Sequence, residues 1–159
     1  MRPSEVLFLF DYDRWATGQI LDASLDLRAD EWSADSVIGE RGIGGILVHA
    51  LGASQRWRHG LSRSPESPRP EREPLPTVAG LRSAWAFEWR ALDAWLAGLT
   101  DEEVAAVEDE APFWQYLAHL ANHGTQHRSE AAVLLTAAGH SPGDLDMIDF
   151  IEAQAAAGR

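Results

Sequence analysis

The chain has no cysteine among its 159 residues. Disulfides, thiolate metal sites and a cysteine nucleophile are therefore excluded within the protein, and any thiol chemistry requires a thiol from outside. No apolar run approaches the roughly 18 residues of a membrane span, and the N-terminal segment MRPSEVLFLFDYDRW lacks the basic start, long apolar stretch and cleavage site of a signal peptide. We therefore expect a cytoplasmic protein without a membrane span.

Basic residues are also scarce. The chain carries 13 Lys and Arg against 25 Asp and Glu, which gives a formal net charge of −12. Such a charge repels polyphosphate backbones, and the basic residues are scattered rather than arranged as a stripe, so we expect no binding to nucleic acid. The length and the 45% hydrophobic content predict one globular domain over residues 1–159.

Apolar residues recur with the helical period in four stretches, and no strand pattern is convincing. Thr77 is suited to cap the third stretch, and Gly139 to end the fourth. The pattern predicts an all-α protein with the architecture of a four-helix bundle. The predicted helices run approximately over Val6–Leu27, Ile43–Leu61, Val78–Leu99 and Phe113–Ala138.

A proline-rich connection separates the second and third predicted helices. It carries five prolines between Ser62 and Pro76, which forbid both a helix interior and a central strand. We expect an extended loop that is either a lid or a mobile segment, and its composition favours the mobile interpretation. In the third helix, Trp85, Trp89 and Trp95 follow the apolar period and are predicted to lie in the core.

Three of the six histidines lie in the segment HLANHGTQH at spacings of four. On a helix His119 and His127 are separated by about 12 Å of rise, so the three cannot share one metal ion. His127 lies near the centre of the apolar face and His123 at its inner edge, whereas His119 lies roughly 40° further toward solvent. His123 and His127 are therefore the inward-facing pair. Alternatively, they are polar residues at a core edge with ordinary hydrogen-bond partners.

A third donor is needed, because catalytic zinc sites typically use three protein ligands. His49 borders the apolar stripe of the second helix and can supply it, although it can also be a helix-edge histidine with an ordinary hydrogen bond. His59 points almost the opposite way, and His140 has no partner at ligand spacing, so both are predicted to lie at the surface. In the first helix, Tyr12 and Trp15 can line the open side of the site or simply pack.

Longer segments of the chain also form a recognisable set, namely DYDRWATGQILDA, GILVHALGASQRWRHGL and HLANHGTQHR followed by GHSPGDLDMIDFI. Together they resemble the DinB family of metal-dependent proteins. The resemblance implies an up-down-down-up four-helix bundle, a homodimer, and a divalent metal held by His49, His123 and His127. The family commonly continues its last motif with glycine and glutamine after the arginine, whereas Ser129 and Glu130 follow Arg128 here. This departure lies past the ligands and concerns the groups around the metal and substrate.

Three neutral imidazoles leave a net charge of about +2 on a bound divalent ion, which lowers the pKa of a bound water or stabilises a thiolate. The leading hypothesis is a metal-dependent enzyme acting on a small-molecule substrate. The resemblance favours a transferase or isomerase that uses a low-molecular-weight thiol such as mycothiol, bacillithiol or glutathione; the other reaction class is hydrolysis. The alternative is a non-catalytic, metal-stabilised dimeric stress or interaction module. Zinc or nickel suits the site best, and iron or copper also suits imidazole ligands.

Overall fold

The computed structural model describes residues 1–38 and 41–158. This part of the chain is mostly helical, as predicted. Its only strands pair as a short antiparallel hairpin. In chain order the elements are α1 Pro3–Ala23, a 3-10 turn Ser24–Asp26, α2 Ala29–Ser33, α3 Gly42–Leu61, a 3-10 turn Pro70–Arg72, α4 Val78–Leu96, α5 Asp101–Ala105, β1 Val107–Glu108, β2 Ala111–Pro112, α6 Phe113–Ala137 and α7 Met147–Ala157.

The ends of the long helices follow from local chemistry. Thr77 caps α4, and its hydroxyl accepts a hydrogen bond from the backbone N–H of Gly80 at 3.1 Å. Gly139 follows α6 with φ of +87°, a left-handed conformation that glycine adopts without strain. α1 ends before the predicted Leu27, and the chain tightens into a 3-10 turn in which the Ser24 hydroxyl donates to the carbonyl of Ile20 at 2.8 Å.

The C-terminal helix α7 was not among the four predicted helices. Asp146 caps it by accepting a hydrogen bond from the N–H of Ile148. Phe150 is its one buried residue, and its ring lies about 6 Å from the rings of Phe8, Tyr12 and Trp15 on α1. These aromatic contacts pack α7 against α1.

The long helices enclose two apolar clusters. α1 and α3 each pack against both α4 and α6. Trp85 is buried in the first cluster, which confirms its predicted core position, while Trp89 and Trp95 are only partly buried and pack against the clusters. The first cluster includes Ile20, Leu21, Ile43, Leu47, Leu81, Ala131 and Leu135, and the second includes Val6, Phe10, Leu92, Leu96, Val104, Phe113, Leu117 and Leu120.

A polar layer lies between the two clusters along the long helices. Its buried members include Asp13, Ser54, Glu88 and Arg128, one from each long helix. Glu88 accepts hydrogen bonds from Arg58 at 2.7 and 2.9 Å and from the Ser54 hydroxyl, and Asp13 is paired with Arg128. Burial raises the pKa of Asp13, and the ion pair with Arg128 opposes that rise. Each buried charge is therefore compensated within the layer.

The proline-rich segment, residues 62–76, packs along α3, and we call it the Pro-rich strap. Arg41 donates hydrogen bonds to the carbonyls of Glu71 and Glu73, and the Trp32 indole donates to that of Pro76 at 2.9 Å. Leu75 packs against the first apolar cluster. The segment is thus anchored at several points, because prolines that prevent regular structure do not prevent side-chain and carbonyl anchoring. Its mobility stays a prediction.

No described helix is both long and apolar enough to cross a membrane.

Candidate metal centre

The two helices α3 and α6 bring His49, His123 and His127 together. Each histidine offers one ring nitrogen, and the three nitrogens lie within 4.8 Å of one another. The ring centroid of His127 is 4.5 Å from that of His123 and 4.8 Å from that of His49. Among the described residues this is the one group of histidine and carboxylate side chains with the spacing of a metal site.

The α6 pair has the separation that a shared ion requires. His123 and His127 lie one helical turn apart, and their Nε2 atoms are 3.3 Å from each other. Two nitrogens bound tetrahedrally to one zinc ion, with metal–nitrogen bonds of about 2.0–2.1 Å, would be about 3.3–3.4 Å apart. The donor set and its spacing therefore fit a divalent ion of this size.

A carboxylate fixes the tautomer of His127. Its Nδ1 lies 2.7 Å from Oε2 of Glu130. Burial raises the pKa of Glu130, but hydrogen bonds from Gln126 and His127 outweigh that effect and lower it overall. Glu130 is therefore ionised at neutral pH and can only accept, so His127 carries its proton on Nδ1 and presents the lone pair of Nε2 toward His123.

A second carboxylate lies beside His49. Oε1 of Glu71, on the Pro-rich strap, is 3.5 Å from Nδ1 of His49 and 2.7 Å from the guanidinium of Arg56. Although burial raises the pKa of Glu71, a backbone hydrogen bond and Arg56 lower it overall. The side chain of His49 is 45% exposed, so the ring has freedom to adjust.

The environment keeps two of the imidazoles neutral. Burial, followed by repulsion from His127 and His49, lowers the pKa of His123 to about 4. Burial and the neighbouring His127 also lower the pKa of His49. Metal ligation requires neutral imidazole, so this environment favours the ligating form at neutral pH.

A cavity of about 330 Å³ opens beside His49 and His127. Glu71 and Glu130 line it together with Arg41, and its apolar wall includes Ile46. This volume lies at the lower end of the range of small-molecule sites, and mixed walls with a few converging polar groups are typical of them. The geometry therefore provides both an imidazole cluster and space for a ligand next to it.

Tyr12 and Trp15 do not line this cavity. The Tyr12 hydroxyl donates to the carbonyl of Leu145 at 2.7 Å, and both rings pack with Phe150 of α7. The guanidinium carbon of Arg128 lies 5.4 Å from the Tyr12 ring centroid. In the structure both aromatic residues connect α1 to the C-terminal helix.

The other histidines lie outside the group. His119 is exposed and its ring packs on Trp57, while His140 is partly exposed. His59 was predicted to lie at the surface, and this was wrong, since its side chain is only 12% exposed. Arg58 approaches its Nε2 at 3.2 Å, so Nε2 accepts and Nδ1 donates to the Ser64 hydroxyl at 2.9 Å. His59 therefore anchors the start of the Pro-rich strap and cannot activate Ser64 as a base.

Sequence reasoning missed the residues around the imidazoles. Glu71 gave no signal because the strap has no periodic pattern. Glu130 was visible only as a departure from the family motif. Two helical glycines make close approach possible: a Cβ on Gly52 would lie 2.5 Å from a Glu71 oxygen, and one on Gly124 would collide with the carboxylate of Asp13.

Comparison with known proteins gave one result that covers almost the whole chain. The DinB family profile matches residues 3–158. Comparisons with curated proteins and with solved structures gave no match.

Proposed function

Because the chain belongs to the DinB family, we propose that it is a metal-dependent enzyme in which His49, His123 and His127 hold a divalent ion with a coordination position open toward the cavity. The convergence of three imidazoles from two helices at the edge of a cavity carries this proposal. We further propose that residues 1–159 form one domain with an up-down-down-up four-helix bundle. The packing of both α1 and α3 against α4 and α6 supports that arrangement.

The residues around the proposed site have separate roles. A divalent ion held there supplies the charge that stabilises a thiolate or a deprotonated water near neutral pH. His123 stays neutral because its pKa is lowered to about 4, and His127 presents Nε2 because Glu130 occupies its Nδ1. Arg41, Glu71 and Glu130 give the cavity polar walls that can orient a substrate.

We propose a low-molecular-weight thiol as the cosubstrate, in a transferase or isomerase reaction. The chain supplies no thiol of its own. An ion with imidazole ligands and an open position suits thiolate binding, and zinc or nickel suits the ligand set. Family membership favours thiol chemistry over hydrolysis.

The cavity also bears on the non-catalytic alternative. A metal that only stabilises the fold is expected in a closed site with four protein ligands. Here three histidines meet beside an opening of about 330 Å³. This favours the enzyme over a metal-stabilised interaction module, while a homodimeric assembly is compatible with either function.

Metal analysis of the purified protein tests the ligand set. We expect about one divalent ion per chain in the wild type and almost none after His123→Ala or His127→Ala, because two imidazoles alone bind weakly. His49→Ala should also lose the metal. The control is His119→Ala, which changes an exposed histidine on the same helix and should retain full stoichiometry. Full metal content in His127→Ala would contradict the proposal.

Cobalt substitution tests the open position and the reaction class. Titration of a small thiol into the cobalt protein should change its visible spectrum as sulfur joins the coordination sphere, and the His127→Ala protein should not respond. If the spectrum does not change with thiols but changes near pH 7, it indicates a metal-bound water and therefore hydrolysis. If the spectrum changes neither with thiol, nor with an added small anion, nor with pH, the non-catalytic module is favoured.

A further inference from the structure

We propose that Glu130 and Glu71 are the positioning residues of the metal centre. Glu130 holds the ring of His127 through a hydrogen bond, and Glu71 directs its carboxylate at Nδ1 of His49 and thereby links the Pro-rich strap to metal binding. This inference rests on the proposed metal site. It concerns the carboxylates behind the ligands, which fix ring orientation and tautomer and whose loss typically weakens metal binding by about 10–100-fold.

Glu130 belongs to a short hydrogen-bonded series on one face of α6. Its Oε2 accepts from Nδ1 of His127 at 2.7 Å, and its Oε1 accepts from the side-chain amide of Gln126 at 3.1 Å. The spacings of three and four residues place all three groups on neighbouring turns. Both carboxylate oxygens are therefore engaged, which restricts rotation of the carboxylate and fixes the imidazole it holds.

Glu71 reaches the centre from a different part of the chain. Its carboxylate lies against α3 where Gly52 leaves room for it, and Arg56 pairs with it at 2.7 Å. Arg41 holds the backbone of this segment through the carbonyls of Glu71 itself and of Glu73. The strap thus directs one carboxylate toward Nδ1 of His49, 3.5 Å away.

The two carboxylates act from behind the rings and are not ligands themselves. Nδ1 and Nε2 lie on different sides of an imidazole, so a carboxylate at Nδ1 leaves Nε2 for the ion. The Glu130 contact is a full hydrogen bond, while the Glu71 oxygen is beyond hydrogen-bond distance from His49 and also serves Arg56. We therefore expect the larger loss of metal affinity when Glu130 is removed.

The first experiment compares Glu130→Ala and Glu130→Gln with the exposed control Glu152→Ala on α7. Glu130→Ala should weaken zinc binding by about 10–100-fold, whereas Glu130→Gln keeps an acceptor for Nδ1 and should recover most of that loss. Nitrogen-15 NMR of the metal-free protein gives an independent readout. His127 should be the Nδ1–H tautomer in the wild type and in Glu130→Gln, and a mixture in Glu130→Ala.

Zinc affinity in Glu130→Ala within twofold of the wild type, or an unchanged His127 tautomer, would overturn the role of Glu130. These outcomes are distinct from failure of the metal site. If the wild type binds no metal, or binds it independently of the three histidines, the proposed function fails first. If the wild type binds metal through those histidines and the Glu130 variants bind equally well, only the positioning role fails.

The second experiment compares Glu71→Ala with Glu73→Ala, a matched control on the same strap whose side chain is exposed. Glu71→Ala should weaken zinc binding several-fold, and the control should not. Limited trypsin digestion at Arg72 reports on the strap itself. Zinc should slow this cleavage in the wild type and in the control, and it should slow it much less in Glu71→Ala.

Equal protection by zinc in all three proteins would overturn the link between the strap and the metal. A cobalt spectrum separates positioning from direct ligation. If Glu71 only positions His49, Glu71→Ala should keep the coordination number and shift the absorption bands slightly. Loss of one ligand in that spectrum would show that Glu71 binds the ion, and the positioning role would be wrong.

Discussion

This protein has two polar regions among its helices, and their polar groups find partners in different ways. In the polar layer, Glu88 pairs with Arg58 and Asp13 with Arg128, so each charge meets an opposite charge. In the candidate metal centre, three imidazoles face one another, and the contact between His123 and His127 is a single 3.3 Å hydrogen bond. The charged groups of the polar layer have their partners within the protein, whereas the histidine cluster has ring nitrogens that are available to a ligand.

This difference indicates which region the fold depends on. Removing one partner of a buried ion pair leaves an uncompensated charge in a medium of low polarity, which is costly. Loss of one hydrogen bond between imidazoles costs less, because a typical hydrogen bond contributes about 0.5–1.5 kcal/mol. The polar layer should therefore determine the stability of the metal-free protein, and the histidines should determine what it binds.

The largest effect on stability should come from Arg58→Met. Glu88 is fully buried, and the Arg58 side chain is 14% exposed. Loss of the guanidinium should lower the free energy of unfolding by about 3–5 kcal/mol, measured by chemical denaturation. Metal stoichiometry of the folded fraction should not change, because Arg58 lies in the other polar region.

Two further variants test the cause of that loss. Arg58→Met combined with Glu88→Leu removes both charges and should recover most of the stability. Arg63→Met breaks an ion pair with Glu108 whose side chains are 80% and 41% exposed, and should cost less than about 1 kcal/mol. An equal loss of unfolding free energy in Arg58→Met and Arg63→Met would contradict the predicted difference between buried and exposed ion pairs.

Metal should produce the next largest effect. A ligand that binds only the folded protein stabilises it by about 2.7 kcal/mol when its concentration is 100 times its Kd. For a chain of this size that corresponds to an increase in Tm of roughly 5–10 °C, and a chelator should reverse it. His127→Ala should show no increase, whereas His119→Ala should match the wild type. A wild-type Tm that does not respond to zinc would show that the fold and the metal are independent.

A lower pH should produce the smallest of the predicted effects on stability. The pKa of His123 is about 4 in the folded protein and about 6.5 in the unfolded chain. Between these values the unfolded chain takes up a proton that the folded protein resists, so stability falls as the pH falls from 6.5 toward 4. We expect a loss of about 1 kcal/mol for this half-buried group after allowance for solvent screening.

Denaturation of the metal-free protein at pH 7.5 and at pH 5 measures this effect. His123→Asn has no titrating ring and should lose less stability over the same interval. His49 contributes in the same direction, since its pKa is also lowered. An identical pH dependence in the wild type and in His123→Asn would contradict the assignment to His123.

Helical periodicity in the sequence was sufficient to predict the four long helices and the inward face of His123 and His127. Asp13 and Glu88 lie on the buried faces of their helices, where an unpaired charge is not expected. Their partners could not be predicted, because Arg128 lies 115 residues from Asp13 and Arg58 lies 30 residues from Glu88. A pattern within one helix contains no information on which distant residue will face it.

The Pro-rich strap shows a different limit. Its prolines correctly excluded long helix and central strand, and the segment contains only a 3-10 turn at Pro70–Arg72. The contact of Glu71 with α3 depends on tertiary anchors, namely Arg41 and Arg56, that have no regular spacing. Irregular segments are positioned by such individual contacts, so a sequence pattern predicts their lack of structure better than their location.

The glycines of α3 and α6 restrict how this protein can be engineered. Replacing a helical glycine with alanine usually stabilises a protein by roughly 0.5–1 kcal/mol, and at Gly18, where a Cβ would meet no atom within 4 Å, that gain should be available. At Gly52 and Gly124 the same methyl group would displace Glu71 or Asp13. A thermostabilisation programme that treats all helical glycines alike would therefore disturb the candidate metal centre at Gly52 and the polar layer at Gly124. Its alanine library should omit both positions, together with Gly42 and Gly44, where a Cβ would collide with Ala34 and Trp32.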